Sequence, residues 1–466
     1  MINQVTSSHE HPYWFGEIPP TWDVKRIKAL FSLRDERNYL PLSEVNLISL
    51  YTSIGVVQHS DLTHTTGNRA QNADGYKIVK PDDIIVNILL CWMGAIGHCA
   101  YDGVTSPAYD IYTPKTNADS RFYHYLFRTK AFSQQCYRAG KGIMAMRWRT
   151  YSPQFSDIKV PVPPVSEQWK IVRFLDWKTS DINKLIKNHR KAIAYYRELK
   201  LRLIDEAVIG GLRECTRVQS DRWDIMFPKH WSIKRIRENF SFGRGLSITK
   251  ADLKETGVPV ISYGQIHSKT NSGVGLCDDL IRFVDEGYLS TNSGSLVRQG
   301  DFIFADTSED LAGCGNCAYI DWDNTIFAGY HSIIMRPNKS IDNKYFAYLF
   351  QSPTWRYQIR KKCNAVKVYS ITQQILKDAY ILIPPDDEQR EIVEYLDDIC
   401  KKVDAVIAKI SEKISSLNDM KNTLIFNVVT GKVDINNFEI PVYEYVDDEL
   451  DAVDSDEEAE ELEDAE

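Results

Sequence analysis

From Ser166 to Ile209 the chain contains neither proline nor glycine, and its apolar residues recur with a heptad period. Leu175, Ile182, Leu185, Ala192, Tyr196, Leu199 and Leu203 fall on the a and d positions, with Lys178 and His189 breaking the seam. Shifted by 221 residues, the same frame selects Leu396, Ile399, Val403, Val406, Ile410, Leu417, Met420 and Leu424, with Lys413 as the exception. This pattern predicts two helices of about 44 residues, each about 66 Å long at 1.5 Å per residue. Seams in the same frame are most simply explained if the helices are antiparallel partners in a two-helix coiled coil. Before each helix the pattern changes to short strand-like runs such as Val45–Tyr51, Ile84–Leu90, Val258–Ser262 and Phe302–Ala305. Helical pieces interrupt them, among them Arg121–Arg138 with Phe122, Leu126 and Phe127 on one face. The mixture predicts an irregular α/β or α+β globule, and α+β is the expected class.

The two halves repeat one another. Trp14, Pro19, Trp22, Lys25, Arg26 and Ile27 recur 209 residues later as Trp223, Pro228, Trp231, Lys234, Arg235 and Ile236. Asp83 and Gly97-His98-Cys99-Ala100 recur at 218 as Asp301 and Gly315-Asn316-Cys317-Ala318. Pro163-Pro164, Glu167-Gln168 and Ile171-Val172 recur at 221 as Pro384-Pro385, Glu388-Gln389 and Ile392-Val393. Loop insertions between matched elements produce such a drift. A unit this long is a duplicated domain and not a solenoid repeat. The expected layout is a pseudo-twofold one. It comprises a first domain over 1–164, a helix over 165–212, a second domain over 213–385, a helix over 386–435 and an acidic, disordered tail over 436–466.

Charge sharpens this picture. Residues 447–466 hold thirteen acidic side chains and no basic one, so the net charge of −8 conceals a body of about +5. A mildly basic body suits a nucleic-acid partner, and the tail has the composition of a solvated segment. No stretch is long and apolar enough to cross a membrane, and no secretory leader is visible, so a cytoplasmic location is expected. Nine cysteines at scattered positions do not make a disulfide framework.

The sequence carries no phosphate loop, no dinucleotide fingerprint and no Pro-Pro tetrapeptide of amino-methyltransferases. Asp157-Ile158-Lys159 matches only a fragment of a nuclease centre. Cys314-Gly-Asn-Cys317 has metal-ligand spacing but no second pair, and the residue matching Cys314 in the first half is Ile96. Small core residues are the simpler reading.

Basic and aromatic residues instead interleave in matching loops. In the first half Lys141 is followed by Arg147, Trp148 and Arg149; in the second, Lys361 and Lys362 are followed by Lys367 and Tyr369. A second pair of loops carries Gln58 and Arg69 in the first half and Tyr263 and Gln265 in the second. Arg and Lys can neutralise phosphates or bind guanine edges, and Asn and Gln can bind adenine. These ten residues are the candidate DNA-binding set.

The Trp-x-x-Lys-Arg-Ile openings and the Pro-Pro-x-x-Glu-Gln junctions resemble those of the specificity subunit of type I restriction-modification enzymes, over about residues 12–435. Ala207-Val208-Ile209-Gly210 and Val428-Val429-Thr430-Gly431 match that family's helix ends. The resemblance implies two target-recognition domains held apart by the helical spacer, each reading half of a bipartite DNA duplex target. It also implies that the chain itself holds no cofactor and no catalytic centre. Two methyltransferase subunits would bind S-adenosylmethionine and modify adenine, and restriction subunits, where present, would use ATP and Mg. The acidic tail departs from the family pattern. Two other readings compete: an interaction scaffold that never touches DNA, and a specificity partner in another multisubunit system. Duplex binding that weakens steeply with salt separates the first of these from a DNA reader.

Overall fold

The computed structural model describes residues 13–61, 72–142, 148–338, 343–365 and 368–446. Contacts divide the chain into two units, Met1–Arg190 with Ser411–Glu466, and Lys191–Ile410. Arg69, Arg147, Lys367 and the acidic run 447–466 lie outside the described residues.

In the first unit a four-stranded antiparallel sheet runs in the order Phe31–Arg34, Tyr109–Pro114, Ile84–Asn87, Ile96–His98. Side chains alternate across a strand, so Ile84 and Val86 enter one core with Trp22, Phe31, Tyr112 and Phe122. Ile85 and Ile111 enter another with Ile48, Leu50 and Val79. Both faces are covered, which explains why this strand is apolar throughout. The run Arg121–Arg138 is not one helix. It forms Ser120–Phe127 and Lys130–Ala139, because Thr129 caps the second piece by accepting from the Phe132 amide at 3.3 Å.

The second unit repeats the same sheet: Phe240–Arg244, Ser332–Pro337, Phe302–Ala305, Cys317–Tyr319. Phe302 and Phe304 face one core while Ile303 and Ala305 face the other. Outside this sheet the halves diverge. The second unit adds a four-stranded sheet ordered Arg282–Val284, Val258–Ile261, Ile326–Ala328, Leu296–Val297, where the first unit has two separate two-stranded pairs.

The repeated motifs prove to be structural fasteners. Asp83 and Asp301 are both buried, and each accepts a backbone amide three residues before it, from Lys80 at 2.9 Å and Arg298 at 3.1 Å. Each also takes a guanidinium, from Arg34 at 3.0 Å and Arg336 at 2.9 Å. At the double-proline junctions, the fully buried Gln168 and Gln389 donate to the carbonyls of Pro163 and Pro384, both at 2.8 Å. Arg26 and Arg235 form ion pairs with Asp157 and Asp378, which places Asp157 in a surface ion pair.

The long helices span Val165–Gly210 and Asp386–Val429. In the first unit Asn183 accepts from Lys421 at 3.2 Å, while Leu175, towards the first helix's start, shares a core with Val428 and Val429. In the second unit Lys200 pairs with Asp404 at 2.7 Å, and Ile204 and Ala207 share a core with Leu396. Within each unit the two helices are therefore antiparallel. One line of the expected seam is displaced. Leu185, Val406 and Met420 are exposed, at 49%, 36% and 52%, while of their neighbours Ile186 is buried and Ile407 and Lys421 are half-buried. Adjacent apolar pairs such as Leu185-Ile186 fit either spacing, and packing selects the later member.

Both helix ends turn through glycine in the left-handed region, Gly211 at φ 70° and Gly431 at φ 73°. A Cβ at Gly431 would stand 2.3 Å from Pro19 Cδ, and one at Gly211 would stand 3.0 Å from the Trp231 ring. The chain after the second helix packs back on the first unit. Phe438 packs on Phe174 at 5.1 Å between ring centres, and Ile440 joins the first core.

Candidate nucleic-acid interface

In the first domain, Lys141 and Arg149 are the two feet of a loop joined by reciprocal backbone bonds of 2.9 and 3.0 Å. Trp148 stacks on Tyr137 at 4.8 Å and donates to its carbonyl at 2.9 Å. Gly140 permits this, since a Cβ there would lie 2.4 Å from the indole nitrogen. The loop thus has a rigid base, with Lys141 exposed. Gln58 sits elsewhere, on the hairpin Ile48–Tyr51/Gly55–Gln58, where it accepts from Asn46 at 2.9 Å and donates to Asp61 at 3.3 Å.

In the second domain a cavity of about 750 Å³ is walled by Tyr263, His267, Thr307, Asn316, His331 and Val368, among others. Tyr263 meets His331 and Tyr330 edge-on, both at 5.5 Å. His267 donates to the Thr307 carbonyl at 2.8 Å and accepts from the Asn316 amide at 3.1 Å. Both ring nitrogens are then used, so this histidine is a positioned wall rather than a free reader. Behind it, Asn316 accepts from Arg356 at 2.8 Å. Arg356 also donates to the Phe350 carbonyl at 2.9 Å and to Gln351. Burial pulls its guanidinium down to about 10, still high enough to stay charged at neutral pH.

His331 was not legible as a site residue. It adopts φ 52°, a conformation uncommon for a residue with a side chain. Its Nδ1 lies 3.2 Å from Asp306 Oδ1, and its side chain is 57% exposed at the cavity rim.

The second-domain candidates lie in two places. Tyr263 lines this cavity together with Val368, the neighbour of Lys367. Lys361 and Lys362 instead follow the helix Pro353–Arg360 and line a separate cavity of about 570 Å³ with Arg222, Tyr357 and Asp378. The Asp378 carboxyl is held below its ordinary value by a hydrogen bond from Gln374 and by the charges of Arg237, Lys362 and Arg235. Gln265 caps the short helix Tyr263–Ile266, its side-chain oxygen accepting from the Ser262 amide at 3.1 Å. That oxygen is already engaged by its own chain.

The Cys-x-x-Cys pair is a core feature. Cys314 and Cys317 are buried and unpaired, and burial pushes both thiols up to about 12. Among the described residues no group of histidine, cysteine and carboxylate side chains is arranged to hold a metal. No described helix is long and apolar enough to cross a membrane.

The family described as "Type I restriction modification DNA specificity domain" matches this chain twice, over residues 19–194 and 228–416. The chain belongs to that family. It is a type I specificity subunit with two target-recognition domains. Each match takes in one globular domain, its double-proline junction and part of the following helix. The chain is similar to the type I restriction enzyme MjaVIII specificity subunit of Methanocaldococcus jannaschii, at 22% identity over 76% of this chain and 81% of that one. It is also similar to the EcoKI specificity subunit of Escherichia coli, at 22% identity over 88% of this chain and 85% of that one. Its fold is shared with a chain from a solved type I restriction-modification system, with a TM-score of 0.61, 16% identity and coverage of 90% and 100%.

Proposed function

We propose that this specificity subunit reads a bipartite duplex DNA target, each domain contacting one half-site. In the first domain Lys141, Arg149 and Gln58 contact DNA. In the second, Tyr263, His331, Lys361 and Lys362 do so, and Arg69, Arg147 and Lys367, outside the described residues, are further candidates for the same role. The observation that carries this reading is the duplication itself: one sheet core is repeated, with different outer layers and different rim residues. Two surfaces built alike but chemically unlike suit two different half-sites.

The chain supplies recognition and its partners supply chemistry. Two methyltransferase subunits carrying S-adenosylmethionine modify adenine, and restriction subunits with ATP and Mg cleave unmodified DNA. The complex works in the cytoplasm. The test is adenine-methylation mapping in cells expressing this chain with its methyltransferase partner. A two-part motif with an unspecified gap is expected, and methylation without any such motif would overturn the reading.

A further inference from the structure

The described chain ends in a pinned segment. Ser180, fully buried on the first long helix, donates to the Glu444 carbonyl at 2.9 Å and accepts the Val446 amide at 2.8 Å. Asn183 donates to the Val446 carbonyl at 3.0 Å. The segment therefore advances along the helix in the helix's own direction, from Phe174 at Phe438 to Asn183 at Val446. The next helical residues carry Lys184, Lys187 and Arg190, three apart and so on neighbouring positions of one face. Lys184 already stands 4.0 Å from the Glu444 carboxylate. The next chain residues carry thirteen carboxylates in twenty positions with no base among them.

We propose that the acidic segment Asp447–Glu466 is a built-in counter-ligand: it docks on the Lys184–Lys187–Arg190 face of the first long helix and competes there with DNA phosphates. Reach is no obstacle. Lys184 to Arg190 covers about 9 Å of helix rise, and a 20-residue segment extends to about 66 Å. The tether is short, because the anchor at Asn183 lies one residue from Lys184. A short tether gives an effective concentration on the order of millimolar, enough for weak ion pairs to persist at low salt. Sequence-independent binding to DNA rests on the same phosphate-neutralising contacts. The docked segment thus suppresses binding away from the target more than binding at it, where base contacts add affinity. The docking stands on the anchor and the charges alone, and only the competition rests on the DNA-reading proposal.

Carboxyl-to-amine zero-length cross-linking of the full chain, read by mass spectrometry, tests the docking. Links from residues 447–466 should concentrate on Lys184 and Lys187 at about 50 mM salt and fade by about 200 mM. Arg190→Glu should reduce them several-fold, with thermal melts of the variant confirming that it stays folded. Links spread over lysines of both units, or none at all, would overturn the docking. If reversal at Arg190 instead weakens duplex binding and leaves cross-linking unchanged, DNA is the occupant and the proposal fails. The competition is tested by truncation after Val446, which should tighten binding to a random duplex about tenfold at low salt and not at high salt. Equal affinities would overturn the competition while leaving the docking intact. Failure of both proteins to bind any duplex would count against the DNA-reading function itself.

Discussion

His331 separates backbone strain from DNA reading in one pair of variants. At φ 52° a side chain costs roughly 1–2 kcal/mol relative to glycine, which has no Cβ to clash. His331→Gly and His331→Ala both remove the ring, its 5.5 Å contact with Tyr263 and the 3.2 Å approach to Asp306. An exposed pair of this kind contributes about 0–1 kcal/mol, and it cancels between the variants. What differs is the Cβ alone. The glycine variant should be more stable than the alanine variant by about 1 kcal/mol, or about 2–4 °C in melting temperature for a domain of this size. This inverts the order found in helices and strands. If the ring also contacts a base, both variants lose about 1–3 kcal/mol of discrimination at one position. Thermal melts report the first effect and methylation mapping the second. An alanine variant at least as stable as the glycine variant refutes the strain argument. An unchanged motif in both removes His331 from the reading surface.

Gly431→Ala should cost about 2–3 kcal/mol, because the added Cβ meets Pro19 at 2.3 Å in a left-handed conformation; denaturant midpoints check this. Burial holds the His124 imidazole well below its ordinary 6.5, so it is neutral in the folded protein. Stability should therefore fall as pH drops below 6.5, where only the unfolded chain takes the proton, and His124→Asn should flatten that slope in melts between pH 7 and pH 5. Replacing residues 12–163 with the matching domain of another specificity subunit should change one half of the methylated motif only. Lengthening or shortening both long helices together should change the gap and leave both halves intact; a motif altered on both sides in either experiment counts against the division of labour.

The repeat was legible because tryptophan, proline and glycine have few substitutes where they pack closely. Pro19 against Gly431 and Trp231 against Gly211 are such places. The seam was legible in period but not in phase, since Leu185-Ile186 and Val406-Ile407 offer apolar side chains at both spacings. Gln265 looked like a base reader because glutamine suits adenine. Its capping bond depends on the Ser262 turn, although Ser262 three residues before Gln265 is itself a capping-box signal. His331 gave no signal, because backbone conformation at a single residue is imposed by the strands on either side. Lys361 and Lys362 belong to a different stretch of the repeat from Tyr263, and they line a different cavity from it.

The first unit is discontinuous, and this sets an order of events during synthesis. Its core buries Val428, Val429 and Ile435 beside Trp22, Phe122 and Ile171. The ribosome delivers those partners only after all of Lys191–Ile410. At about 5–20 residues per second the delay is on the order of 10–40 s. The second unit is contiguous and can close as it emerges. The domain translated first is therefore the one completed last, and until then Trp22 and the start of the first helix lack part of their apolar cover. A nascent chain stalled once Lys191–Ile410 has left the ribosome, with residues 428–435 still inside it, should expose that surface to chaperones beside a folded second domain.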